Sequence, residues 1–205
     1  MRSLAIETAT EACSVALFDS GELVDARHEV LGRGHAERLV PMIAELPDKG
    51  RADVIRVSLG PGSFTGVRIG LAVARALGIA WGAEVRGYPT LALVAALAQD
   101  RDPEGGVTVC MTGGHGEWFL QDFDPGCVAL GEAVSLPPAQ AATRGARAVI
   151  AGNRASELAA LSGDGHRAID MLPDAKGAQL MPGDVFTEAL SPLYGRAPDA
   201  KLPGA

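Results

Sequence analysis

Seven residues, Gly60-Pro61-Gly62-Ser63-Phe64-Thr65-Gly66, carry the most specific chemical signal in this sequence. They run from an apolar strand pattern into a helical one. A chain that passes through glycines into a helix leaves backbone N–H groups free at the helix N-terminus, and these attract phosphate or another anion. No Gly-Lys-Ser/Thr follows, so the segment is not a P-loop. Its third glycine falls one position late for a dinucleotide fingerprint. On spacing alone, a tight strand-to-helix turn with no ligand is the simpler reading. Upstream, Glu7 closes the first strand pattern and precedes a polar turn at residues 8–11. An acid placed there could hold magnesium beside a nucleotide. With Thr8, Thr10, Gly60, Gly62 and Ser63 it makes up a candidate nucleotide set, although a lone Glu at a strand end is more often merely solvated.

His35-Ala36-Glu37-Arg38-Leu39 resembles the start of a His-x-Glu-x-His metal run, with Leu39 where the second histidine would stand. One His and one Glu are too few for a stable zinc or iron site, so a polar helix start is favoured. Glu37 in the first turn also suits the helix dipole. Downstream of this run, Gly66, Gly70, Ala74 and Gly78 recur every four residues. A row of small side chains lets another element approach a helix closely. Each interior Gly costs roughly 0.5–1 kcal/mol relative to Ala, so the row asks for a compensating contact. That contact is either this protein's own sheet or a helix of a partner, and spacing does not separate the two. His115 and Glu117 invite an acid–base reading against a plain surface hairpin. No Gly-x-Ser-x-Gly elbow or Ser-His-Asp order is visible.

The elements that must carry these residues read as two similar halves. Residues 4–6, 13–18 and 23–28 are strand patterns, with a hairpin turn signal at Asp19-Ser20-Gly21. A helix is expected over 35–46, because Leu39, Ile43 and Leu46 share one face. Pro41 either kinks it or marks a late first turn. A buried strand at 54–59 feeds the glycine loop and a long helix at 67–81. A further helix follows Pro89, with Thr90 as its expected cap, and ends near Asp100. After the linker-like 101–106 the pattern restarts. Strands are expected at 107–111, 117–123 and 127–130, with Thr112 in the place of Thr8, then a strand at 147–151 and a helix at 155–161. The last thirty residues are Pro-rich and mostly irregular.

Composition bounds the function. The 205 residues carry a net charge of −7, with 47% hydrophobic and only 9 aromatic side chains, so a core must rest on Ala, Val, Leu and Ile. Residues 1–102 hold 11 basic and 13 acidic groups, the remainder 7 and 12, and residues 102–143 contain no Lys or Arg. Neither half offers the basic field that unaided RNA binding needs. Cys13, Cys110 and Cys127 show no CxxC spacing, which argues against a disulfide scaffold or structural zinc. Residues 67–81 are too short and too charged, with Arg68 and Arg75, to span a bilayer. With no signal-peptide pattern at the start, a reduced, cytoplasmic protein is expected.

Three stretches resemble the bacterial TsaB (YeaZ) family: MRSLAIETATEACSVALFDSGEL, HAERLVPMI and ADVIRVSLGPGSFTGVRIGLAVARALGIAW. The closing SPLYGR resembles that family's Pro-x-Tyr-x-Arg segment. The similarity is dense over residues 1–98 and thin over 102–191. It implies an α/β fold of the actin/Hsp70/sugar-kinase-like kind, built from two duplicated RNase H-like lobes. These are expected at 1–103 and 104–191, with a tail at 192–205. It also implies a non-catalytic partner of a TsaD-like paralogue, which carries the metal site and transfers threonylcarbamoyl to tRNA next to the anticodon, and of a TsaE-like ATPase. tRNA is then met only through the complex, a homodimer is expected when the chain is alone, and no membrane is involved. No tightly bound cofactor or metal is expected, with ATP or ADP only in the assembled complex.

The family docks through its first two helices, so His35, Glu37, Leu39, Ile43, Gly66, Gly70, Ala74 and Gly78 are the implied partner-binding residues. Two departures weaken any nucleotide chemistry. Glu7 replaces a common Asp, and residues 112–117 replace an Asp-Ala-Arg segment followed by Glu. A nucleotide-hydrolysing or phosphotransferring enzyme is the competing reading, separable by calorimetry with ATP. A metallopeptidase is a third, separable by elemental analysis.

Overall fold

A computed structural model describes residues 1–195. The chain forms two five-stranded mixed sheets. The first comprises β1 (Arg2–Glu7), β2 (Ala12–Asp19), β3 (Glu22–Val30), β4 (Val54–Ser58) and β5 (Glu84–Tyr88), in the order β3-β2-β1-β4-β5. β1, β2 and β3 pair antiparallel, whereas β1, β4 and β5 run parallel. The β2–β3 hairpin closes through Ser20 and Gly21, both at positive φ, a two-residue turn that matches the twist of its strands. The second sheet repeats the plan with β6 (Val107–Thr112), β7 (Trp118–Phe123), β8 (Val134–Leu136), β9 (Val149–Gly152) and β10 (Arg167–Asp170), in the order β8-β7-β6-β9-β10. This duplicated arrangement is the expected pair of RNase H-like lobes.

Helices α1 (His35–Ala44), α2 (Phe64–Trp81) and α3 (Thr90–Arg101) belong to the first lobe, and α4 (Pro138–Arg144) and α5 (Ala155–Ser162) to the second. Strand periodicity sorts the core into layers. Leu4 and Ile6 of β1, with Cys13, Val15 and Leu17 of β2, face α1 and α2. Ala5, Ala16 and Phe18 point the other way, onto α3 and the inner face of the second sheet. There α3 is buried on every side from Thr90 to Gln99, as a helix between two sheets must be. A short 3-10 turn, Ala175–Gln179, stands in the corresponding place of the second lobe. Its Gly177 lies so near α3 that a Cβ would meet Leu97 Cδ2 at 2.5 Å. The outer face of the second sheet, with Cys110, Trp118, Leu120 and Ile150, is covered by α4 and α5.

Several boundaries differ from the sequence expectation. β5 had no signal, being short and interrupted by Arg86 and Gly87. The third strand of the second lobe is residues 134–136, not 127–130, where a single bridge joins Phe123 and Ala129. Pro41 lies inside α1, which continues through it to Ala44, and Glu45 N donates to Pro41 O at 3.0 Å. Pro89 caps α3, and Thr90 is its first residue rather than its cap. By strand register Thr112 corresponds to Glu7, not Thr8: the last pairs are Glu7–Ser14 and Thr112–Trp118. Beyond the second sheet, Ala175 N–H donates to Ser14 Oγ and Thr187 bridges Gly87, both in the first lobe. α2 is long and apolar enough by length and composition to cross a bilayer. Its inner face is instead part of the core, through Val67, Leu71 and Ala74.

Candidate functional site

Part of the glycine loop's backbone is engaged within the protein. Ser63 N–H donates to Ala9 O at 2.6 Å, and Ser63 Oγ accepts from Gly66 N at 3.2 Å as the N-cap of α2. A Cβ on Gly62 would collide with Ala9 O, and one on Gly66 with Thr8 O. The glycines therefore allow the residue 8–11 turn to lie directly against the start of α2. Thr8 is fully buried, with its hydroxyl on Gly66 O at 2.8 Å. Gly60 is buried too. Of the candidate nucleotide set, only Thr10, Gly62 and Ser63 line an open cleft, of about 360 Å³, between the lobes. That cleft is crossed by Asn153, whose Nδ2 donates to Glu11 Oε1 at 2.9 Å and whose Oδ1 accepts from Thr112 N at 2.8 Å.

Glu7 does not reach the cleft. It has no exposed surface, and its Oε1 accepts from Ala9 N at 2.6 Å, which fixes the same turn from below. Burial pushes its carboxyl up to about 7, against the opposing pull of the Ala9 and Thr8 N–H groups and the adjacent Ser58 and Thr90 hydroxyls. Glu7 Oε2 and both hydroxyl oxygens have no partner of good geometry. A carboxyl in that environment is a core group, not a magnesium ligand facing solvent.

The small-residue row also turns inward. Gly70 packs on the Thr8 hydroxyl and Val57, Ala74 has no exposed surface, and a Cβ on Gly78 would meet Val85 Cγ2 at 2.5 Å. The compensating contact for these glycines is the protein's own sheet, so Gly66, Gly70, Ala74 and Gly78 do not face a partner. In α1, Leu39 and Ile43 are core residues. His35 is buried, with Nε2 at 3.2 Å from Ala12 O. Among the eight implied docking residues only Glu37 is exposed. His35 and Glu37 thus lie on different faces, and among the described residues no three His, Cys, Asp or Glu side chains gather as a metal site would require. His115 sits in a hairpin at φ +57, and Glu117 accepts from Ser135 Oγ at 2.6 Å. The three cysteines are free, buried, and in three separate cores.

What the first two helices offer to solvent is a different set. On α2 it is Phe64, Thr65, Arg68, Ala72, Arg75, Ala76, Ile79 and Ala80, and on α1 it is Ala36, Glu37, Val40, Pro41 and Ala44. Ile79 is 87% exposed and Val40 51%. With Ala72, Ala76 and Ala80 they give the two helices a largely apolar outward strip. The sequence did hold its signal: α2 is apolar on both faces, with Ala72, Ala76, Ile79 and Ala80 opposite the glycine row. Arg38 ties α1 to its surroundings through Glu29 Oε2 at 2.9 Å and Glu45 Oε1 at 2.7 Å.

The family described as TsaD, tRNA N6-adenosine threonylcarbamoyltransferase, matches residues 27–181. The tRNA threonylcarbamoyladenosine biosynthesis protein TsaB of Escherichia coli (strain K12) is 39% identical over 123 residues, covering 58% of this chain and 45% of that protein. The Haemophilus influenzae TsaB is 43% identical over 97 residues, 45% of this chain and 40% of that protein. The matches thus span less than half the length of these two relatives. An uncharacterized Mycobacterium tuberculosis protein is 32% identical over 97% of this chain and 93% of its own length. YeaZ from Pseudomonas aeruginosa superimposes with a TM-score of 0.79 at 28% identity, over 94% of this chain and 99% of that one. The ethanolamine utilization protein EutJ of Carboxydothermus hydrogenoformans, at TM-score 0.51 and 10% identity over 89% of this chain and 90% of that one, shares the fold alone. With the duplicated sheets these findings establish the actin-like α/β fold. By the span of the family match and its TsaB and YeaZ relatives, the chain belongs to the TsaB (YeaZ) branch of the TsaD family.

Proposed function

We propose that this chain is the non-catalytic TsaB-like subunit that pairs with a TsaD-like threonylcarbamoyl transferase to form threonylcarbamoyladenosine on tRNA next to the anticodon. The observation that carries the reading is the outward apolar strip of α1 and α2, on a member of the TsaB branch whose own His35–Glu37 pair is split between core and surface. In this reading the strip meets the paralogous subunit, and a second copy of the chain takes that place when the paralogue is absent. A TsaE-like ATPase completes the assembly. tRNA is held through the other subunits, because a net charge of −7 supplies little counterion release. ATP or ADP enters only in the assembled complex, since the glycine loop here is engaged by the residue 8–11 turn. The cytoplasm, where tRNA is modified, is the proposed location.

Co-purification from cells carrying a tagged copy, followed by modification assays with and without this chain, tests the proposal. The expected result is a stoichiometric pair with the TsaD-like subunit and loss of modified tRNA when this chain is withheld. Full modification without it, or threonylcarbamoyl transfer by the isolated chain, overturns the reading.

A further inference from the structure

The outward face of α2 continues past its apolar strip. Phe64, Arg68, Ala72, Arg75 and Ile79 follow one another at helical spacing, so the first turn extends the same face with an aromatic ring and a guanidinium. Phe64 is 61% exposed. Over this end the chain returns from the second lobe. Leu190 O accepts from Arg75 Nη2, Leu193 N–H donates to Leu59 O, and Tyr194 OH accepts from Arg68 Nη2, each at 2.7 Å. The Phe64 and Tyr194 ring centroids are 5.8 Å apart. The Arg68 guanidinium lies 3.2 Å from the Phe64 centroid and 5.7 Å from that of Tyr194. Gly195 then wedges between the lobes, where a Cβ would meet Phe119 at 2.6 Å and Pro61 at 3.1 Å.

Contacts between α2 and the returning segment therefore hold together three large side chains that neither core uses, and Tyr194 remains 50% exposed. Exposed aromatic and Arg side chains are the types that dominate protein interfaces. Ordering them in advance lowers the entropy lost on association. We propose that Phe64, Arg68 and Tyr194 form an anchoring platform of the docking surface, set by the returning segment, and that its occupant is the TsaD-like subunit that covers α2. This rests on the docking reading above. Nucleobases stack on the same ring types. A protein occupant is favoured because the platform is continuous with the apolar strip, and its one basic group is already shared between two rings and a hydroxyl.

Pairing affinity for the TsaD-like subunit, measured on full-length Phe64→Ala, Tyr194→Ala and Ile79→Glu with melting curves beside each, is the test. Tyr194→Ala and Phe64→Ala are each expected to weaken pairing about tenfold or more with little change in melting. Unchanged affinity in both overturns the platform, and so does a loss that merely tracks the unfolded fraction. Intact pairing with lost tRNA binding by the assembled complex also overturns it, in favour of base stacking. Ile79→Glu reports on the docking reading separately. If only Ile79→Glu disrupts pairing, the docking reading stands and the platform falls. If only the platform variants disrupt it, the platform stands without the α2 strip.

Discussion

The two lobes share one strand plan and differ in what covers it. Outside the first sheet lie a 10-residue and an 18-residue helix, whose outward side chains include Val40, Ala72, Ala76, Ile79 and Ala80. Outside the second lie helices of 7 and 8 residues, whose outward side chains are Ala139, Gln140, Thr143, Arg144, Ser156, Glu157, Ala160 and Leu161. Between the sheets the asymmetry repeats, with α3 from one lobe and only a five-residue 3-10 turn from the other. One topology thus carries a short covering layer in one lobe and a longer one in the other, and in the proposed reading the longer layer is the docking surface.

The sharpest way to break this contrast is a charge on each outer layer. Ile79→Glu would bury a carboxylate in the pairing interface without a partner. Such a group costs several kcal/mol, so pairing should fall by about a hundredfold or more. Ala160→Glu on α5 should leave affinity unchanged. Titration of the TsaD-like subunit against both variants decides: equal losses, or none, would erase the functional difference between the lobes.

The next effect belongs to the inner face of the same helix. At Gly70, a Cβ would already press on the Thr8 hydroxyl and sit 3.5 Å from Val57. Gly70→Leu should cost about 3 kcal/mol of stability by overpacking, and molecules that remain folded should pair normally. Chemical denaturation with a pairing assay on the refolded fraction checks both halves. Normal stability with weak pairing would mean that the glycine row, not the strip opposite, meets the partner.

That row marks where sequence reasoning stopped. Spacing correctly isolated Gly66, Gly70, Ala74 and Gly78 as demanding a close neighbour, but periodicity gives a helix face and not its direction. On α2 both faces are apolar, so burial could not be assigned without the sheet beneath it. α1 was clearer in outline, with Leu39, Ile43 and Leu46 on one stripe, and those residues do form core. Their selection as docking residues followed the helix and not its exposed side. The duplicated plan was readable because strand, turn and strand recur after residue 106. β5 and β8 were not: one is five residues broken by Arg86 and Gly87, the other only three. The Phe64–Arg68–Tyr194 contact joins residues 126 apart in sequence, and no local pattern announces it. Arg196, the last residue of the SPLYGR segment, lies outside the described residues.

A smaller effect separates the ends of the two central strands. β1 ends in buried Glu7 and β6 in exposed Thr112. The Glu7 carboxyl is raised in the folded protein from 4.5 to about 7, so the folded state binds more protons than the unfolded one between those values. Its contribution is fully present below the unfolded pKa and is lost as pH rises through about 7. The full shift corresponds to on the order of 3 kcal/mol. Stability should therefore fall between about pH 4.5 and 7, and Glu7→Gln should flatten that slope while Thr112→Val does not. Denaturant melts across that range measure it. A Glu7→Gln profile parallel to the original would show that the carboxyl is not the titrating group.

The smallest effect lies where the lobes meet. Asn153 links Glu11 of the first lobe to Thr112 of the second through two side-chain hydrogen bonds. Both are partly solvated, so Asn153→Ala should cost only about 1 kcal/mol. Its use is to separate two accounts of the cleft. If the Asn153 bridge alone kept nucleotide out, removing it should open the site and calorimetry should detect ATP binding by the isolated variant. The packing beneath argues otherwise. Ser63 N–H is already held by Ala9 O, and Gly62 and Gly66 are pressed against the residue 8–11 turn. Loss of the bridge frees none of those groups, and Glu7 stays buried under them. The variant should thus show faster hydrogen exchange at Thr112 N and still no heat with ATP and magnesium. Measurable ATP binding would restore the kinase-like reading of the first lobe and tie it to the bridge between the lobes.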